Sequence, residues 1–308
     1  MGEVIRLGSR KSPLALAQAR MTRDFILERE PDCEVQIVTF TTKGDVMLDR
    51  SLQSFGGKGV FTEELERALL DGTIDFGVHS MKDLPQEMPS GLVLAGILPR
   101  GDCRDVLIVR DSILKQMELV TDGTVMLRLL PANPVIGTSS ARREAQLRGM
   151  RSDVQIKGIR GNVQTRLDKL DAGDYDALIL AAAGLERLNL GRRCFPFDVQ
   201  DFVPAPGQGI IALQGAAGAE KLYLVHDKSM LSDLDCLTAE RAFAKEFGGG
   251  CNVPLGASAR NLHGHITLYG FACGERGKAA KDSISGKQAN AAELGRMLAA
   301  RIRKKLEG

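Results

Sequence analysis

A short apolar run, a loop of small polar residues and then a helical stretch follow one another repeatedly along this chain, and that succession leaves few folds open. Val4 to Leu7 leads through Gly8-Ser9-Arg10-Lys11-Ser12-Pro13 into a helix expected to reach about Glu30. Ser12 as N-cap and Pro13 at the first helical position are helix-start signals. Val35 to Thr41 reads as a strand, Thr62-Glu63-Glu64 opens a helix with acids in its first turn, and Ile74 to Val78 is a strand after the Asp71-Gly72 stop. Val135-Ile136-Gly137 passes through Thr138-Ser139-Ser140 into a helix bearing Arg142 and Arg143. Val154 to Ile159 passes through Arg160-Gly161-Asn162 into a helix bearing Arg166, and Ala177 to Leu180 is a further strand. Such alternation predicts mostly parallel sheets covered on both faces, with ligands at the carboxyl ends of the strands.

The last eighty residues change character. A helix from about Asp233 to Phe247, a Gly248-Gly249-Gly250-Cys251 loop, strands near Leu255 to Arg260 and His265 to Phe271, and a closing helix from about Ala289 to Leu306 make a separate α+β module. Joints are expected at Pro99-Arg100-Gly101 and at Pro204-Ala205-Pro206-Gly207, and the strand Ile210 to Leu213 is placed to return to the first block. A length of 308 residues fits two or three such domains.

Composition removes several function classes. No run approaches the ~20 apolar residues of a membrane span, so no membrane partner is expected. A net charge of +2, 5% aromatic residues and no Trp leave little for base stacking, so nucleic acid is not an expected partner. The N-terminus shows no continuous apolar segment of a secretory signal, and a cytoplasmic location is expected. Cys33, Cys103, Cys194, Cys236, Cys251 and Cys273 show neither a CxxC nor zinc spacing, so a reduced chain without a metal is expected.

Three places carry chemistry. His79-Ser80-Met81-Lys82-Asp83 ends a buried-looking strand with a hydroxyl, an ammonium and a carboxylate, where Asp83 can stabilise a developing cation or handle protons. The bland reading of these residues is a solvated turn, with His79 a satisfied core histidine and Met81 packing. Arg10, Arg142, Arg143, Arg160 and Arg166 all lie in or just after strand-to-helix loops, where backbone N–H groups already favour anions. One such arginine is ordinary surface, whereas five at one topological position point to a polyanion cleft. The third place is Cys251, where three preceding glycines remove bulk around a thiol that reads as a nucleophile or attachment point, or as a small buried hydrophobe.

These segments resemble the hydroxymethylbilane synthase (porphobilinogen deaminase) family. The likeness is carried by Arg6-Leu7-Gly8-Ser9-Arg10-Lys11-Ser12-Pro13, Gly56-Gly57-Lys58-Gly59, His79-Ser80-Met81-Lys82-Asp83, Gly137-Thr138-Ser139-Ser140 with Arg142-Arg143, Arg160-Gly161-Asn162-Val163 with Arg166, Ala183-Gly184-Leu185 with Arg187, Pro206-Gly207-Gln208-Gly209, and Gly249-Gly250-Cys251. The resemblance implies a transferase of haem and porphyrin biosynthesis. It joins four porphobilinogen units, with loss of ammonia, into the linear tetrapyrrole hydroxymethylbilane. The implied cofactor is a dipyrromethane primer held by a thioether, at the position of Cys251, and the implied catalytic carboxylate is Asp83. Lys82, Asp83, Ser12, Ser80, Ser139, Arg142, Arg143, Arg160 and Gly161 match cofactor-binding positions. Arg10, Arg160, Arg166, Arg187 and Gln208 match positions that bind porphobilinogen and the growing oligopyrrole. Gly57, Lys58 and Phe61 match a lid.

The implied fold is α/β, with two domains like those of type II periplasmic binding proteins and a small α+β C-terminal domain. The implied boundaries are 1–102 with 206–228 for domain 1, 103–205 for domain 2, and 229–308 for domain 3, which carries the cofactor cysteine; a monomer is expected. Ser54 stands where many bacterial relatives carry lysine, and Gln214 where relatives often carry Glu, which bears on lid electrostatics. The competing readings are a non-catalytic anion-binding protein, which needs the arginines but neither Asp83 nor Cys251, and a cysteine hydrolase. The latter wants an oriented histidine, and His79, His226, His263 and His265 fall in no triad motif.

Overall fold

The computed structural model describes residues 3–42, 62–114, 119–225, 230–248, 254–274 and 277–308. Cys251, Gly57, Lys58, Phe61 and Ser54 lie outside the described residues. The first hundred residues form β1 (Val4–Arg10), α1 (Pro13–Leu27), β2 (Glu34–Phe40), α2 (Glu63–Leu70), β3 (Phe76–Ser80) and β4 (Leu92–Ile97). The chain continues through β5 (Asp105–Val109), α3 (Gly123–Leu129), β6 (Val135–Gly137), α4 (Ala141–Met150), β7 (Gln155–Lys157), α5 (Val163–Asp171), β8 (Ala177–Ala181), α6 (Ala182–Arg187) and β9 (Phe195–Pro196). It ends with β10 (Ile211–Ala216), α7 (Leu231–Glu246), β11 (Leu255–Leu262), β12 (His265–Cys273), β13 (Ala279–Lys287) and α8 (Ala291–Glu307). These elements divide into two compact units, residues 1–101 with 210–234, and residues 102–209 with 235–308.

Both units contain a five-stranded sheet of the same wiring. The first has the order β2-β1-β3-β10-β4 and the second β7-β6-β8-β5-β9. In each, three neighbouring strands run parallel, and one antiparallel strand, β10 or β5, is inserted between the third and the edge strand. The fold class is therefore the one expected: α/β, with two five-stranded mixed sheets and a small C-terminal α+β module. The sheets are more mixed than strand-helix alternation predicts, because β5 and β10 enter without a preceding crossover helix. The returning strand is real: Ile211 to Gln214 pair with Ser80 to Gly77.

Residue spacing explains the layers. In β5 every residue is buried, with Leu107 and Val109 in one core beside Ile136, Ile179 and Phe195, and Val106 and Ile108 in another beside Leu178, Leu180 and Leu167. A sheet covered on both faces needs such continuous apolar runs. The C-terminal sheet β11-β12-β13 has one face on α7 and α8 around Phe243, Leu268, Leu298 and Ile302, while on the other Phe271 and Cys273 of β12 are buried with Val203. Its edge strand β13 was not legible as a strand, because Ile284 is its only large apolar residue.

Local signals behave as their chemistry requires. The Ser12 hydroxyl accepts the Ala15 N–H at 3.3 Å, capping α1. The helix stops at Leu27 rather than near Glu30, since Pro31 disfavours a helical backbone at the residue before it.

Candidate functional site

In the first unit β1 and β3 are parallel neighbours, so the Arg10–Ser12 loop and the Ser80–Asp83 turn emerge side by side at their carboxyl ends. With Gln18 and His79 they line a cavity of about 70 Å³. Gln18, from the buried face of α1, donates to the Ser80 hydroxyl at 2.9 Å and so fixes its rotamer. The sequence reading missed Gln18; its signal was a polar residue on the apolar stripe of the helix. Asp83 is exposed, and its carboxylate makes no hydrogen bond or ion pair among the described residues. Lys82 is exposed beside it.

His79 is a core residue, though not a satisfied one: its ring is buried and Nε2 has no hydrogen-bond partner among the described residues. Burial pushes its pKa down from 6.5 to about 4; the Gln214 amide opposes this and the Arg10 charge adds to it. Gln214 is itself fully buried in β10, and its Oε1 is also without a hydrogen-bond partner among the described residues. This glutamine therefore acts inside the first sheet, facing a neutral imidazole.

In the second unit the arginines follow β6, β7 and β8: Arg142 and Arg143 in α4, Arg160 in the loop after β7, Arg166 in α5 and Arg187 in α6. Ser139 is stapled to the neighbouring loop, donating to the Ile159 carbonyl at 2.9 Å and accepting the Ile159 N–H at 3.0 Å. Gly161 sits at φ +108°, and a Cβ there would lie 2.8 Å from the Thr165 side chain, so this turn requires glycine. Asn162 caps α5 by accepting the Thr165 N–H at 2.9 Å. Arg166 donates from Nε to the Gly161 carbonyl at 2.8 Å, and the Arg160 side chain makes no bond among the described residues.

Arg142 and Arg143 are buried and share one carboxylate, Asp105, at 2.7 Å each. Burial pushes Arg142 below its ordinary pKa; Asp105 opposes the shift and Arg143 reinforces it. Arg166 is lowered by burial and by the charges of Arg143 and Arg160. Arginine stays charged through such shifts. Arg187 donates from α6 to the Gly209 carbonyl. Gln208 is buried, with its amide on the Cys103 carbonyl at 2.8 Å and on Asp105 at 3.1 Å. Asp105 was missed from sequence, where it appears only as an acid heading an apolar run.

Among the described residues, the only carboxylate bonded to Arg142, Arg143, Arg160 or Arg166 is Asp105. Four guanidiniums against one acid leave a surplus of positive charge that suits a ligand rich in carboxylates. A dipyrromethane, with an acetate and a propionate on each ring, fits that donor set. No group of three or more His, Cys, Asp or Glu is placed to hold a metal among the described residues, and no helix there is long and apolar enough to cross a membrane.

Comparison with known proteins agrees with this chemistry. The family described as porphobilinogen deaminase, dipyromethane cofactor binding domain, matches residues 5–223, and porphobilinogen deaminase, C-terminal domain, matches residues 234–304. The porphobilinogen deaminase of Neisseria meningitidis serogroup A is 43% identical over 272 residues, 86% of this chain and 82% of its own. That of Synechococcus elongatus is 42% identical over 309 residues, 97% of this chain and 92% of its own. Among solved structures, the periplasmic aliphatic sulphonate binding protein SsuA from Escherichia coli is similar at a TM-score of 0.38 and 15% identity, covering 80% of this chain and 71% of its own, a likeness too distant to add to the strand order. With both domain families matched across nearly the whole sequence, the chain belongs to the porphobilinogen deaminase family, transferases of tetrapyrrole biosynthesis that polymerise porphobilinogen and bind a dipyrromethane cofactor.

Proposed function

We propose that this chain joins four porphobilinogen units head to tail into hydroxymethylbilane, with Cys251 holding the dipyrromethane through a thioether and Asp83 as the catalytic carboxylate. In each addition the aminomethyl C–N bond of porphobilinogen breaks and ammonia leaves. The resulting methylene cation forms a C–C bond with the terminal ring of the growing chain, which then loses its α-proton. After four additions the C–C bond to the primer breaks and water adds at the freed methylene, which gives the product its hydroxymethyl group. Asp83 has no competing partner among the described residues, so its charge is available to pyrrole N–H groups and to the developing cation. The bound dipyrromethane supplies the ring that accepts the first unit.

The observation that carries this reading is the surplus of arginine at the carboxyl ends of β6 and β7. Arg142, Arg143, Arg160 and Gly161, with Ser139, hold cofactor carboxylates; Lys82, Ser12 and Ser80 support the cofactor in the first unit. Arg10, Arg160, Arg166, Arg187 and Gln208 bind substrate and growing chain, and Gly57, Lys58 and Phe61 form a lid. Gln208 serves through its hold on Asp105 as much as by direct contact, since its amide is buried. The same reading takes residues 1–102 with 206–228, 103–205 and 229–308 as three domains, and the protein as a cytoplasmic monomer that does not bind nucleic acid.

The test is the intact mass of the denatured chain before and after incubation with porphobilinogen, with Cys251→Ser as control. An excess equal to two deaminated porphobilinogen units, absent from the control, is expected. An unmodified mass in a folded sample refutes the assembly reaction and favours a plain anion-binding protein.

A further inference from the structure

Asp105 heads a strand whose other residues are all core, and it is itself fully buried. A buried carboxylate is tolerated only when paired and hydrogen-bonded. This one accepts from Arg142 Nη1 at 2.7 Å, from Arg143 Nε and Nη2 at 3.0 and 2.7 Å, and from Gln208 Nε2 at 3.1 Å. Each guanidinium is also held at a second point: Arg142 Nη1 donates to the Val203 carbonyl at 2.7 Å, and Arg143 Nη1 to the Ile179 carbonyl at 2.9 Å. Two anchors on a planar group fix its orientation.

Donor counting shows what is left over. A guanidinium carries five N–H groups. Arg142 uses Nη1 alone, so its Nε and Nη2 carry no bond among the described residues, and Arg143 keeps one hydrogen on each terminal nitrogen. We infer that Asp105 is a positioning residue for the polymerisation: it anchors one edge of Arg142 and of Arg143 so that their remaining N–H groups meet the carboxylates of the bound oligopyrrole. The inference rests on the reading above that these two arginines hold those carboxylates.

Charge compensation alone makes the opposite prediction. If Asp105 only screened the arginines, Asp105→Asn would raise the local positive potential and tighten anion binding. If it positions them, the neutral amide releases a guanidinium edge and binding weakens. The experiment uses full-length wild-type, Asp105→Asn and Asp105→Glu chains, and measures thermal melting, the rate of dipyrromethane loading from porphobilinogen by intact mass, and KM and kcat of the loaded enzyme.

For a folded Asp105→Asn chain, loading at limiting porphobilinogen slows and KM rises by about tenfold or more, the worth of one charged hydrogen bond. The change in kcat is smaller, which is the signature of lost binding rather than lost active protein. Loading and KM within about twofold of wild type, or tighter, overturn the inference. If Asp105→Asn does not fold, Asp105→Glu keeps the charge but displaces the oxygens, and the same rise in KM is expected; a wild-type KM there overturns the inference, as does failure of both variants to fold. A wild-type chain that never loads refutes the proposed function instead.

Discussion

Replacing Glu240 by Gln keeps the size of the side chain and exchanges one oxygen for an amino group. Glu240 lies on α7 with its carboxylate fully buried; one oxygen accepts the Gly207 N–H at 2.7 Å and the other the Ala259 N–H at 2.7 Å. These two bonds tie the 204–209 segment and β11 to the same helix. Gly207 is at φ +72°, so the turn it makes is available to few other residues, and its amide has one orientation to offer. In Glu240→Gln one backbone N–H keeps an acceptor and the other faces an NH₂ group. The loss of one charge-assisted bond costs about 1.5–3 kcal/mol, and the stranded buried N–H about 1–3 kcal/mol more. A total of about 2.5–6 kcal/mol corresponds to a melting temperature lower by roughly 5–24 °C for a unit of this size. Scanning calorimetry of the full chain at neutral pH is the assay, with Glu246→Gln as a control whose acid is partly exposed. A Glu240→Gln melt within about 2 °C of wild type would show that these bonds contribute little, and the argument for a buried acid as the tie between segment and helix would fail.

Asp83→Asn is expected to lower turnover by about 100-fold or more while leaving the melt unchanged, since the carboxylate is exposed and unbonded among the described residues; near-normal kcat would remove its catalytic role. His79 supplies a pH prediction. Its folded pKa of about 4 lies below the ordinary 6.5, so the unfolded chain takes up a proton that the folded chain refuses. Stability is therefore full above about pH 6.5 and falls by about 3 kcal/mol as pH drops toward 4. Urea midpoints of wild type and His79→Gln across that range should show a slope in the first that is reduced in the second; equal slopes would place the proton elsewhere.

How much of this was legible beforehand depends on the range of the interaction involved. Ser12-Pro13, Asn162 at the start of α5 and the Gly161 turn act within a few residues, so their roles could be read from order alone. The sequence reading passed over β5, although its continuous apolar run has the pattern of a strand covered on both faces. β13 escaped because a surface strand of small polar residues is held by its neighbour β12, and not by its own pattern. The end of α1 moved because the constraint comes from Pro31, outside the periodic stretch.

The arginines show the division most clearly. Sequence by itself determined that cations stand at successive strand-to-helix loops, because loop position and residue type are local properties. Only the tertiary structure decided which of them share an acid, since Asp105 meets Arg142, Arg143 and Gln208 across long stretches of chain. It also decided that Gln214 faces His79 inside a sheet, because antiparallel return of β10 beside β3 sets that register. Pairing of buried charges is a property of packing, and no local pattern in the chain encodes the partner.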